Sequence, residues 1–134
     1  MTIFDAGDFD VLARTVFGEA RGQGFDGQIA VAWVIRNRAA RPGRFAAGIA
    51  AVCLQPVQFS CWNRNDPSFI RLITVALPDP AFVSALAAAA TVLTDHAPDP
   101  TGGADHYHAT YVSPSWAKAM TRTVQIGAHI FYKE

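Results

Sequence analysis

Four features of the sequence have clear chemical potential: a glutamate, a polar and aromatic loop, a histidine pair and a cysteine. Glu19 stands in Phe17-Gly18-Glu19-Ala20-Arg21-Gly22. On a helix it lies beside the apolar stripe formed by Phe9, Leu12, Ala13, Val16, Phe17 and Ala20. Burial against that stripe and the negative end of the helix both disfavour the charged carboxylate and raise its pKa. A carboxylic acid still protonated near neutral pH can give a proton to a glycosidic leaving oxygen. The competing reading is a surface carboxylate paired with Arg14 or Arg21.

The stretch Gln55-Pro56-Val57-Gln58-Phe59-Ser60-Cys61-Trp62-Asn63 sets aromatics among amides. Rings stack on sugar faces and amides bond hydroxyl and N-acetyl groups. Alternatively, Phe59 and Trp62 plug the core and the polar residues make turns. In Gly102-Gly103-Ala104-Asp105-His106-Tyr107-His108, an extended backbone puts His106 and His108 on one side. They could be two metal ligands, with Glu19 or Asp105 completing a site, or ordinary hydrogen-bonded histidines near a cleft. His96 is isolated, and His129 reads as a structural residue of a hairpin. Cys61 beside a histidine would make the nucleophile of a peptidase or amidase. Cys53 and Cys61 are either two buried thiols or the ends of a closed loop; the absence of a C-x-x-C motif argues against metal binding by these two alone.

The elements that must position these residues are mostly helical. A helix over about Phe9–Ala20 is predicted with Asp8 as its cap, ended by Gly22 and Gly24. A second, Asp26–Arg38, is apolar nearly all round through Ile29–Ile35, as a central buried helix is, and Pro42-Gly43 terminates it. A short helix from Phe45 to Val52 is expected next. The loop Leu54–Ser68 has no period, and long loops in compact domains are commonly functional. Asp79 and Pro80 read as the cap and first residue of a helix through Leu93. Asp99-Pro100-Thr101-Gly102-Gly103 is a turn cluster. Asp105–Val112 has strand propensity, and Arg122–Ile126 with His129–Tyr132 read as a β-hairpin about Gly127-Ala128. The sum over residues 1–134 is a single α+β domain, mostly helical with a small β element.

Composition bounds the rest. The 134 residues are 51% hydrophobic and 16% charged, which favours a packed core over disorder. Net charge is zero with the histidines neutral, and no basic cluster is large enough to mark a nucleic-acid partner. Arg36, Arg38, Arg41 and Arg44 come closest and read as a solvated helix end and its loop, with weak contact to an anionic wall polymer as the alternative. No apolar run is long enough to span a membrane, and the start Met1-Thr2-Ile3-Phe4-Asp5 lacks a signal-peptide pattern. A protein acting outside the cytoplasm would then be delivered by a holin, by a phage-like particle or as part of a longer parent. A monomer is the default.

Several of these segments, in order, resemble the SleB-type, spore-cortex-lytic cell wall hydrolase family. They are Leu12-Ala13-Arg14 with Gly18–Gly22, then Gly27–Ala32 leading to Val34-Ile35-Arg36-Asn37-Arg38. Gln55–Trp62, Asp99–Ala104 and Ile126–Tyr132 follow. The resemblance implies a small lysozyme-like α+β domain that cleaves the peptidoglycan glycan strand after N-acetylmuramic acid, in the periplasm or cell wall. It places the family's single catalytic glutamate on Glu19 and puts Gln58, Phe59, Ser60 and Trp62 along the cleft, with Tyr107 and His108 at family aromatic or histidine positions. No cofactor is assigned. Asp105-His106 departs from a more apolar pair, and Ala109 stands where asparagine is common.

Hydrolysis by two carboxylates needs a second acid. Asp66 and Asp105 are the candidates, and neither has a recognisable context. One acid fits a lytic transglycosylase better, with the muramic C6 hydroxyl attacking. Cysteine- or zinc-dependent amidase or peptidase activity and a non-catalytic wall-binding module are the alternatives from other classes.

Overall fold

A computed structural model describes residues 4–56 and 58–134. Met1–Ile3, at the start read for a leader, and Val57 of the loop motif lie outside the described residues. The first helix, α1, runs Ala6–Ala20, three residues earlier than the periodicity implies. Asp5 caps it by accepting from Asp8 N–H at 2.8 Å, and Asp8 accepts in return from Asp5 N–H at 3.1 Å. Two aspartates three apart thus satisfy two orphan amides reciprocally, so Asp8 closes a capping box instead of standing first. Its Oδ1 also takes the Ala50 N–H, which ties α1 to the third helix.

Helix α2, Phe25–Ala39, is the central element the sequence implies. One side (Val31, Ala32, Ile35) packs into the main core with Leu12, Val16, Phe17 and Phe82. The other side (Ala30, Val34) packs with Ala104 and Phe131 under the sheet. A helix between two cores has no face to leave polar. Phe17 is fully buried and meets Phe82 edge-on at 6.1 Å; burying such a ring contributes about 1.5–3 kcal/mol.

Helix α3 is Ile49–Leu54, later than the expected Phe45–Val52. Gly48 has φ of 98°, outside helical geometry, so the helix starts after it and Phe45 packs from the preceding loop. A 3-10 turn, Ser60–Trp62, interrupts the long loop. The short helix α4, Phe69–Thr74, has no clean apolar stripe: Leu72 is buried while Ile70 is exposed. Helix α5, Pro80–Leu93, begins as the sequence implies, with Asp79 accepting from Ala81 and Phe82 N–H.

Strands β1 (His106–Ala109), β2 (Thr121–Ile126) and β3 (His129–Lys133) form an antiparallel sheet in the order β1-β3-β2. The Gly127-Ala128 hairpin turn is pinned from outside, because Ala128 N–H donates to Gln23 Oε1 in the α1–α2 connection. Tyr107 pairs with Phe131 and His108 with Ile130, which fixes which side chains face the helices.

Arg36 and Arg38 correct the reading of a solvated helix end, whereas Arg41 and Arg44, in the loop after α2, are exposed as that reading expects. Arg36 donates to Val92 O and Asp95 at the end of α5. Arg38 is 6% exposed. Arg41 pairs with Asp105 and Arg44 with Glu134. Apart from Gln58, which Arg38 also reaches, their hydrogen-bond acceptors come from chain 56–90 residues away, which local charge spacing does not reveal. Asn37 between them donates to Asp99 Oδ2 and Ala104 O. Asp99 in turn holds Thr101 N–H and Gly103 N–H, so the turn cluster is locked to α2 and sets where β1 begins.

Candidate active site

Glu19 is the penultimate residue of α1 and points into a cavity of about 240 Å³. Arg38, Gln58, Phe59, Ser60 and Tyr107 complete the lining. Three separate parts of the chain therefore converge on the carboxyl: the end of α2, the loop around the 3-10 turn, and β1. Burial raises the Glu19 pKa to about 7. The Cys61 thiol 3.8 Å away lowers it, the Asp66 charge raises it and the Arg38 charge lowers it, but burial dominates.

The surface-paired reading of Glu19 fails. Arg14 is taken by Asp10, Leu72 O and Val75 O, and Arg21 lies over the Phe17 ring at 5.0 Å. Neither neutralises the acid.

Of the residues expected along a cleft, Gln58, Phe59, Ser60 and Tyr107 are brought to Glu19; Trp62 and His108 are not. Trp62 turns toward α1, where its Nε1–H donates to Thr15 Oγ1 at 2.9 Å, and it packs on the core. It holds the loop instead of lining the cavity. His108 lies on the opposite face of β1 from Tyr107, because side chains alternate along a strand. There it stacks on Tyr132 and lines a separate cavity of about 490 Å³. His129 is the structural residue expected: buried, 4.9 Å from the Tyr107 ring, and with its pKa lowered by burial.

Arg38 is the site residue that sequence reading missed. Its Nε–H donates to Asp105 O at 2.7 Å and its Nη1–H to Gln58 Oε1 at 3.3 Å, between the Phe45 and Phe59 rings. Burial lowers its pKa, and the opposing Asp105 charge does not outweigh this. A signal was present: an arginine four and seven residues after Val34 and Val31, on a helix apolar all round, must find partners. Tyr107 stays a neutral phenol, its pKa raised by burial and then by Glu19.

The other candidate chemistries find little support in the geometry. Cys61 is unbridged, as is Cys53, and both are buried. Burial first, and then the Glu19 carboxyl, push the Cys61 thiol well above its ordinary range, opposite to what a thiolate nucleophile needs. His106 Nδ1–H donates to Asp105, while His108 uses Nδ1–H on Ala109 O and takes the Tyr132 hydroxyl at Nε2. Among the described residues, one set of potential metal ligands comes together: Asp105, His106 and Glu134. Arg41 and Arg44 already occupy those carboxylates.

Asp105 is no free second acid. Burial would raise its pKa, but hydrogen bonds from His106 and Glu134 N–H, with the Arg41 charge, outweigh this and lower it. Asp66 spends Oδ1 on Ser68 N–H. A larger cavity of about 620 Å³ lies away from Glu19, walled mostly by apolar side chains including Phe25, Ile29, Val124 and Ile126.

A mostly helical α+β domain with one lone, protonatable carboxyl at the floor of a cavity is the class that this fold and site define. A family model described as Cell Wall Hydrolase matches residues 22–132. The chain belongs to that cell wall hydrolase family, of the SleB type. It is 30% identical over 131 residues to a spore cortex-lytic enzyme of Halalkalibacterium halodurans, covering 92% of this chain and 34% of that protein. It is 42% identical over 57 residues to the Bacillus subtilis spore cortex-lytic enzyme, covering 42% of this chain and 18% of that protein. The chain thus spans about a third or less of these two relatives.

Among solved structures, it resembles the catalytic domain of the germination-specific lytic transglycosylase SleB from Bacillus anthracis. The TM-score is 0.74 at 28% identity, over 99% of each chain. The SleB catalytic domain of Bacillus cereus superposes equally well, with 99% of this chain and 94% of that one covered. The lysozyme-like α+β fold implied by the motifs is the fold observed. Glu19 lies just ahead of the stretch that the family model matches.

Proposed function

We propose that this domain cleaves the glycan strand of peptidoglycan after N-acetylmuramic acid as a lytic transglycosylase, with Glu19 as its single acid/base. The observation that carries this reading is the Glu19 carboxyl itself. It lines the cavity half-buried with its pKa raised to about 7, while Asp66 and Asp105 are held by other groups. The Bacillus anthracis catalytic domain, named as a lytic transglycosylase, supports the reaction class.

Protonated Glu19 gives its proton to the glycosidic oxygen as the bond to muramic C1 breaks. The resulting carboxylate takes the proton of the muramic C6 hydroxyl as O6 bonds to C1, which yields the 1,6-anhydro end and returns the acid. No water enters, so no second carboxylate is needed to activate one. Gln58, Ser60 and Tyr107 offer polar contacts to the sugar, and Arg38 holds Gln58 in place. Trp62 acts through the loop it anchors. The domain works as a monomer at the cell wall. No described helix is long and apolar enough to cross a membrane.

The test is digestion of purified peptidoglycan by the wild-type and Glu19→Gln proteins, with products weighed by mass spectrometry. The reading expects muropeptides lighter by one water than hydrolysis products, made by wild type alone. Full-mass reducing muropeptides would make it a hydrolase, and freed peptides would overturn glycan cleavage altogether.

A further inference from the structure

Cys61 has no part in the reaction just described, yet it is the side chain that meets the acid. Its Sγ stands 3.8 Å from Glu19 Oε1. The approach depends on Gly18. A Cβ there would lie 2.7 Å from Cys61 Cβ, 2.8 Å from its Sγ and 3.0 Å from Leu72 Cδ1. Those distances are shorter than real carbon contacts, so any side chain at position 18 pushes the cysteine off the helix. A separate bond fixes the 3-10 turn that carries Cys61. Trp62 Nε1–H donates to Thr15 Oγ1, whose own hydroxyl donates to Val11 O at 2.8 Å. Thr15 sits one helical turn before Glu19, so the turn is clamped to α1 on both sides of Gly18. Cys61 is 4% exposed.

We infer that Cys61 is a positioning residue for the acid: seated on the bare backbone of Gly18, its thiol donates a hydrogen bond to Glu19 Oε1 and fixes how that carboxyl enters the cavity. This rests on the reading of Glu19 as the acid. The donor's chemistry suits the task. A thiol is a weak donor, so it orients the carboxyl without stabilising the anion as an arginine or several amides would. The other charged or titratable groups acting on Glu19 are Asp66 from the segment before α4, Arg38 from α2 and Tyr107 from β1. Among the described residues, none of them hydrogen-bonds to it. The thiol is therefore the contact that sets its direction.

Two substitutions separate orientation from packing. Cys61→Ala removes the donor, and Cys61→Ser keeps a shorter, stronger one. The Glu19 carboxyl is titrated directly by carbon-detected NMR in the wild-type protein and both variants, and kcat and KM are measured on soluble peptidoglycan fragments. The titration midpoint is expected to move up in the alanine variant and down in the serine variant, each by roughly half a pH unit. In the alanine variant kcat falls about tenfold or more with KM nearly unchanged, and serine restores most of it.

A packing role alone would lower the thermal midpoint in both variants and leave the titration where it was. That result overturns the inference, as does a midpoint that moves with no change in kcat. If the alanine variant does not fold, the downward shift in the serine variant decides alone. The titration does not depend on turnover, so an active Glu19→Gln protein would overturn the functional reading while leaving the thiol contact measurable.

Discussion

The end of α1 and the start of β1 each hold a carboxyl largely out of water, and the two behave in opposite ways. At the end of α1, burial outweighs every donor and Glu19 keeps its proton up to about pH 7. At the start of β1, Asp105 is 2% exposed but accepts from His106, Arg41 and the Glu134 N–H, and its pKa falls. Burial without strong donors makes an acid. Burial with three donors makes a strut, here one that ties the loop after α2 to β1 and the end of β3. The same residue chemistry thus gives a protonatable carboxyl, the acid of the proposed reaction, in one place and architecture in the other, and the difference lies in the neighbours.

The sharpest way to break the comparison is to remove each carboxyl in turn. Glu19→Gln keeps the shape and abolishes proton transfer. Peptidoglycan turnover should fall about 10²–10⁴-fold, with circular dichroism and thermal midpoint preserved. A fully active variant would end the assignment.

The next largest effect is on stability against pH. The folded protein holds the Glu19 proton up to about 7 while the unfolded chain releases it near 4.5. In that window the native state binds more protons, so stability falls as pH rises, by on the order of 3 kcal/mol. Urea melts across the window should show that slope in wild type and lose it in Glu19→Gln. Activity should decline over the same upper limb, as the acid form disappears.

Asp105→Asn tests the strut. It leaves Arg41 and His106 without their charged partner, and unfolding free energy should drop by about 2 kcal/mol, below the usual cost of breaking a buried pair because Arg41 is half exposed and screened. The lowered Asp105 pKa gives the opposite pH sign to Glu19. Its contribution is present above the ordinary carboxylate range and lost as pH falls through the folded value. If Asp105→Asn instead abolished activity while leaving stability intact, Asp105 would be a second acid after all.

The smallest effect is expected from His108→Ala. The residue lies behind the sheet from Glu19, so turnover should stay within about twofold while the lost Tyr132 hydrogen bond costs about 1 kcal/mol in a urea melt. A large loss of turnover would mean that substrate reaches the far face.

Much of the frame was legible from local pattern. Asp79-Pro80 starts α5, Gly127-Ala128 turns the hairpin, and the all-round apolar Ile29–Ile35 marks a central helix, because caps, turns and helix faces are set by neighbours a few residues apart. The place of Glu19 beside an apolar stripe was legible too, although position alone left open a surface pairing with Arg14 or Arg21 and the ordered family motifs singled it out. The exact start of α1 was not: Asp8 read as the cap, and only its reciprocal bonds with Asp5 show that the helix begins three residues earlier. Nor was the start of α3, which waits on the φ of Gly48.

The sequence by itself determined which residues could be acid, ring or turn, and in what order they come. Tertiary structure alone decided that Tyr107 and not His108 faces Glu19, that Arg38 is buried in the site and not solvated, and that Asp105 is neutralised by partners. The reason is range. A strand's alternation gives two faces but not which one meets the helices, and a charge is tuned by groups that folding delivers from tens of residues away.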